Sequence, residues 1–174
     1  MTKPLFLESN CQQREIMEKL NLICVDDQRE VLNAVVQDLD GLADWLNIEE
    51  CESGHEALEL IDELDADGEF IAVVISDHVM PGMTGVELLR TLHTDARFFK
   101  TRKVLLTGQA THSDTIEAIN SAGIVRYFEK PWKKQQLVQC IRELVTDFIF
   151  DQGLDYQIWH DELDQAGVLK HLHP

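Results

Sequence analysis

Four apolar runs in this 174-residue chain end in side chains that can do chemistry. LNLICV (20–25) runs into Asp26 and Asp27, and FIAVVIS (70–76) runs into Asp77. RKVLL (102–106) ends at Thr107 and IVRYFE (124–129) at Lys130. Three carboxylates gathered in one place cannot all stay ionised unless a cation offsets their repulsion. Oxygen-only ligands with room left for water suit Mg²⁺, and no loop carries the spaced oxygens of a calcium cage. A hydroxyl and an ammonium beside such an ion have a use only when an anion arrives, and a phosphoryl group is the anion that matches all three. In this reading Asp77 attacks phosphorus in line and becomes an aspartyl phosphate. Mg²⁺ orients the group and neutralises its charge, Lys130 adds charge, and Thr107 adds a hydrogen bond.

Each residue alone has a plainer use. An Asp pair after a strand is a helix N-cap, and Asp77 ahead of Pro81-Gly82 is a turn residue. Thr107-Gly108 starts a loop, and Lys130-Pro131 ends a strand in solvent. Their joint occurrence at four strand ends, in order, is what argues for a site.

That argument requires elements able to bring the strand ends together. Strands are expected at 20–25, 47–53, 70–76, 102–107 and 124–130, the second being the weakest. Helices are expected at 29–46, 55–68, 86–95, 113–123 and 132–150, the first, second and last carrying apolar residues at helical spacing. Ser53-Gly54 opens the second helix and Gly68 closes it; Ser113-Asp114 and Gly123 bracket the fourth. Strands alternating with helices predict an α/β fold, a doubly wound five-stranded parallel sheet. Right-handed crossovers put all the strand C-termini on one edge, where ligands bind at the switch in strand order.

Residues 1–18 read as an arm or short helix, 19–150 as the domain, and 151–174 as a helical extension. In the extension Tyr156, Trp159, Leu163 and Ala166 share one face of an expected single helix. That face fits a cap on the preceding helix, or a contact with a second copy.

Composition narrows the function. The net charge is −17, from 32 acidic against 15 basic residues, which argues against nucleic acid and anionic membrane surfaces as partners. Cys11, Cys24, Cys51 and Cys140 show no CxxC spacing, so buried thiols in reduced, cytoplasmic surroundings are expected. No apolar run approaches membrane-spanning length, and MTKPLFLESN lacks the apolar stretch of a signal peptide. The seven histidines lack ligand spacing. His78 adjoins Asp77, but on a strand path it should point away from it. No phosphate-binding glycine loop is present.

CVDDQ (24–28), VVISDHVMPGMTGVELL (73–89), VLLTGQA (104–110) and RYFEKPW (126–132) together resemble the receiver domain of two-component response regulators. The resemblance covers about residues 19–150 and implies a flavodoxin-like fold with strand order 2-1-3-4-5 and helices on both faces. It implies Asp77 as the phosphoacceptor, and Asp26 and Asp27 as the acidic pocket. Asp27, Asp77 and the Val79 carbonyl would then be the direct Mg²⁺ ligands. Thr107 and Tyr127 would be a switch pair, Lys130 would bind the phosphoryl group, and a cis bond to Pro131 is compatible with this arrangement. Val79 and Gln109 would flank the water that hydrolyses the aspartyl phosphate; Val79 cannot hydrogen-bond it, so a state lasting minutes or more is expected. The implied donor is a sensor histidine kinase or phosphotransfer protein, and the implied output is contact with a downstream protein effector or a second copy. Such a chain catalyses only its own phosphorylation and dephosphorylation.

Three other readings stay open. A phosphatase working through an aspartyl phosphate normally has a second Asp two residues after the nucleophile, where this chain has Val79. A flavin carrier needs backbone donors where Asp26-Asp27 would repel a phosphate. A phosphorelay intermediate would hand the group on to another histidine.

Overall fold

The computed structural model describes residues 18–108 and 120–173. Five strands form one parallel sheet: β1 (Leu20–Val25), β2 (Asn47–Cys51), β3 (Phe70–Ser76), β4 (Arg102–Thr107) and β5 (Ile124–Glu129), in the order β2-β1-β3-β4-β5. The expected fold and strand order are both found.

The central strands are mostly apolar because each face of the sheet is covered, and the two-residue period divides their side chains between two cores. Leu20, Leu22 and Cys24 of β1, with Val104 and Leu106 of β4, face one core. Ile23, Val25 and Leu105 face the other. Helices α1 (Arg29–Leu39) and α4 (Lys134–Gln152) close the first face, contributing Leu32, Val35, Leu137, Ile141, Leu144 and Phe148. Helices α2 (Gly54–Ala66) and α3 (Gly85–Thr94) close the second through Ala57, Ile61, Leu88 and Leu92. Capping follows local chemistry: the Ser53 side chain accepts from Glu56 N–H, and Thr84 and Glu87 form a reciprocal capping box that starts α3.

Several boundaries differ from expectation. The helix expected over 29–46 is regular only to Leu39, and Asp40–Leu42 tightens into a 3₁₀ turn. Gly41 weakens the helix there, and the turn still buries Leu42, Trp45 and Leu46. α4 starts at Lys134, two residues later than expected, and continues to Gln152. There Gly153 adopts φ 73° and donates to Ile149 and Phe150 carbonyls. β2 ends at Cys51, and β5 ends at Glu129 rather than Lys130.

The extension is not one helix. Asp155 caps a 3₁₀ turn (Tyr156–Trp159), and Asp164 caps α5 (Gln165–Leu172) by accepting from Gly167 N–H at 2.7 Å. An Asp whose carboxylate caps new N–H groups interrupts a helix rather than continuing it. Ala166 is consequently exposed, and Val168 joins Trp159 and Leu163 in the core beside α4. Cys24, Cys51 and Cys140 are free and buried, and burial pushes the Cys51 thiol up to about 12. The expected arm, the helix at 113–119, Gln109, His112 and Cys11 lie outside the described residues.

Candidate functional site

The site sits on the edge formed by the C-terminal ends of the strands, where order reverses between β1 and β3. Backbone hydrogen bonds carry the ladder one residue past each strand end. Asp77 N–H donates to the Val25 carbonyl at 2.9 Å, Asp26 N–H to Cys51 at 3.1 Å, and Lys130 N–H to Thr107 at 3.0 Å. The acids are therefore placed by the sheet itself.

Asp26 and Asp77 are 3% and 5% exposed, although the charge they carry is costly to bury unless it is paired. Lys130 supplies that pairing: its Nζ lies 2.7 Å from Asp26 Oδ2 and 3.2 Å from Asp77 Oδ1. Asp26 Oδ1 accepts from Gln28 N–H at 2.9 Å. Asp27 is half-buried, and its Oδ1 is shielded from solvent with no hydrogen-bond partner among the described residues.

Carboxylate oxygens of Asp26, Asp27 and Asp77 lie within 4.8 Å of one another. One ammonium cannot balance three such groups. The orphaned Asp27 oxygen and the all-oxygen donor set fit a hard divalent cation such as Mg²⁺, which binds through few carboxylates and keeps other positions for water or phosphate.

Beside the acids a cavity of about 310 Å³ opens to solvent, lined by Gln28, Asp77, Val79, Thr107, Gly108 and Lys130. Val79 is 52% exposed there, so it offers an apolar wall to whatever enters. Gly108, beside Lys130, leaves the mouth without a side chain. The Lys130–Pro131 bond is cis. His78 is not among the lining residues.

The backbone after Asp77 is held from behind. Ser76 Oγ donates to the Asp77 carbonyl at 2.8 Å, and Gly85 N–H to the His78 carbonyl at 2.9 Å. A Cβ at Gly85 would lie 1.9 Å from the Asp77 carbonyl oxygen, so only glycine permits that approach.

Tyr127 is half-buried against the second core, with its Oη shielded and without a hydrogen-bond partner among the described residues. Burial, with the charge of Glu129 adding, raises its phenol above the ordinary range.

Thus Asp26, Asp27, Asp77, Thr107 and Lys130 converge as the strand ends predict, while Tyr127 lies two register positions back from the strand end, opposite Leu105. The sequence reading missed Gln28, whose backbone braces Asp26 and whose side lines the cavity. Its place directly after the acid pair was the available signal. It also missed Lys103, only 1% exposed, whose Nζ donates to the carbonyls of Phe98, Phe99 and Thr101 at 3.0, 3.4 and 2.7 Å. Nothing in RKVLLT distinguishes that lysine from a solvated strand start.

Comparison with known proteins agrees with this geometry. The chain is 29% identical over 128 residues to the chemotaxis protein CheY of Pseudomonas aeruginosa, covering 72% of this chain and 95% of that one. It is 30% identical over 118 residues to chemotaxis protein CheY1 of Helicobacter pylori, covering 68% and 90%. It is also 33% identical over 75 residues to the hydrogenase transcriptional regulatory protein HoxA of Cupriavidus necator, but this covers 43% of the chain and only 15% of that longer protein. The crystal structure of a signal receiver domain from an HD domain-containing protein of Pseudomonas fluorescens superposes with a TM-score of 0.65 at 28% identity, covering 75% of this chain and 97% of that one. The family model of the response regulator receiver domain matches residues 22–142, and with the acid-lined strand edge described above this makes the chain a member of the response regulator receiver domain family, with a role in signal transduction.

Proposed function

We propose that Asp77 accepts a phosphoryl group and that the resulting charge switches a protein-binding surface. The observation that carries this is the position of the Asp77 carboxylate, buried, paired with Lys130 at 3.2 Å, and on the wall of an open cavity. An Asp77 oxygen forms the new O–P bond as the P–N bond of a phosphohistidine breaks, and the leaving imidazole nitrogen takes up a proton. Lys130 holds negative phosphoryl oxygens where it now holds carboxylates, and the Thr107 hydroxyl donates to another. Mg²⁺ held by Asp26, Asp27 and Asp77, with the Val79 carbonyl, would supply the positive charge that lets the anions meet.

The switch is a population shift between two arrangements of Thr107 and Tyr127. Tyr127 already packs on the second core, and its Oη has no hydrogen-bond partner among the described residues, which makes its rotamer easy to bias. The donor is a sensor histidine kinase or phosphotransfer protein, the output a downstream protein effector or a second copy, and the setting cytoplasmic. No helix among the described residues is long and apolar enough to cross a membrane. The chain turns over no substrate beyond its own phosphorylation and dephosphorylation. A phosphatase reading lacks its general acid, because Val79 occupies that place.

Incubation with acetyl phosphate and Mg²⁺, followed by intact mass, tests the proposal. The wild type gains one phosphoryl group, while Asp77→Asn and chelated wild type gain none. Unchanged labelling of Asp77→Asn, or multiple turnovers on a phosphomonoester, would reject it.

A further inference from the structure

We infer that Asp38 and Trp132 are positioning residues that set where Lys130 stands over the acids; the inference rests on the phosphoacceptor reading above. Lys130 leaves the sheet at its β5 edge, yet its Nζ contacts Asp77 at the end of β3 and Asp26 at the end of β1. Strands lie roughly 5 Å apart, so β1 is about 14 Å from β5. The four-carbon stem of the lysine and the facing aspartate must both extend along the sheet edge to meet. The Lys130 backbone itself keeps its ladder place beside β4, so the direction its side chain takes along the sheet edge depends on how the segment that follows is held.

Two anchors flank Lys130. On one side its N–H donates to the Thr107 carbonyl at 3.0 Å. On the other, two residues on, Trp132 Nε1 donates to Asp38 Oδ2 of α1 at 2.9 Å, while its ring packs on the first core. The other Asp38 oxygen faces Lys134 Nζ at 3.7 Å. Neither Trp45 nor Trp159 has a partner for its indole nitrogen among the described residues, so the Trp132 bond is particular to this place rather than a general habit of the chain's tryptophans. α1 begins three residues after Asp26, so the bond ties the lysine loop to the element that follows the acid pair.

Both anchors act on the same segment. Losing the indole bond frees the segment after Lys130 and lets the ammonium leave Asp26 first, since that acid stands on the strand farther from β5.

Two readouts test this on the full chain. The first is the rate of Mg²⁺-dependent labelling by acetyl phosphate, with Mg²⁺ affinity and melting temperature measured alongside. Trp132→Phe keeps the packing but loses the donor. It is expected to lower the rate about tenfold, in line with the sensitivity of phosphoryl chemistry to ångström displacements. In a Lys130→Ala background it is expected to lower the rate no further. Asp38→Ala behaves like Trp132→Phe, and Asp38→Asn, which keeps an oxygen acceptor, recovers most of the loss. The second readout needs no phosphorylation: reductive methylation at Lys130, followed by peptide mass, should quicken at least threefold in Trp132→Phe and Asp38→Ala, with Lys19 and Lys100 unchanged. An equal rate loss with and without Lys130, or unchanged methylation of Lys130, overturns the inference. If the wild type takes no label at all, the phosphoacceptor reading fails, and the methylation rates still decide whether Asp38 and Trp132 position the lysine.

Discussion

Replacing Gly85 by Ala sets two physical effects of opposite sign against each other. Gly85 is the first residue of α3, and its φ is not in the left-handed region, so alanine can adopt its backbone. Helix propensity alone would favour alanine by about 1 kcal/mol. Packing says the reverse. The new Cβ would stand 1.9 Å from the Asp77 carbonyl oxygen, 2.8 Å from its carbonyl carbon and 2.8 Å from Ser76 Oγ. None of these neighbours is the free end of a flexible chain, so α3 and the Asp77 loop must part by about 1.5 Å before ordinary contact is restored. That movement strains the Gly85–His78 and Ser76–Asp77 hydrogen bonds together. We expect a net loss of about 1–3 kcal/mol in stability, the usual range for overpacking. We also expect a loss of roughly a hundredfold in labelling rate, because the displaced backbone carries both the nucleophile and Val79. Gly41→Ala is the control: nothing lies within 4 Å of its added methyl, and stability should hold or rise slightly. Urea denaturation and acetyl phosphate labelling of the two variants give the answer. Wild-type stability and rate in Gly85→Ala would refute the reasoning.

Lys103 makes stability depend on pH. Burial, with the charge of Arg102 adding, pushes its amine down to about 8 from an ordinary 10.5. Between those values the unfolded chain binds the extra proton, so this group makes stability rise with pH across that window, by about 3 kcal/mol in full. Below pH 8 it is protonated in both states and contributes no slope. Denaturation curves of wild type and Lys103→Met from pH 7 to about 10.5 should differ in slope by this component; parallel curves would remove it. Val79→Asp places a group able to hydrogen-bond an attacking water on the cavity wall, and should shorten the phosphoryl lifetime about tenfold, the worth of one good hydrogen bond. Decay of the isolated phosphoprotein, followed on phosphate-affinity gels, measures it, and an unchanged lifetime would show that Val79 does not limit hydrolysis.

Local physics reached far in this chain. Strands buried on both faces are mostly apolar, so β1, β3 and β4 stood out from one-dimensional reading despite the buried Asn21 and Lys103, and their polar ends marked the functional edge. Ser53, Gly68 and Gly123 marked helix ends because caps and left-handed turns are decided by a few neighbouring residues. Local reading failed where two signals competed, as at Gly41 and Asp164, where apolar spacing pointed to a helix and the backbone or side-chain preference interrupted it.

Residue types and their order along the chain thus determined the fold class, the strand order implied by resemblance, and the identities of Asp26, Asp27, Asp77, Thr107 and Lys130. Tertiary structure alone decided that Lys130 bridges two acids across the sheet, that Asp38 reaches Trp132 over 94 residues of chain, and that Lys103 is buried under three carbonyls. The reason is range. Propensities and caps act within one helical turn, whereas these contacts join residues whose separation in sequence says nothing about their distance until the sheet has closed the loops between them.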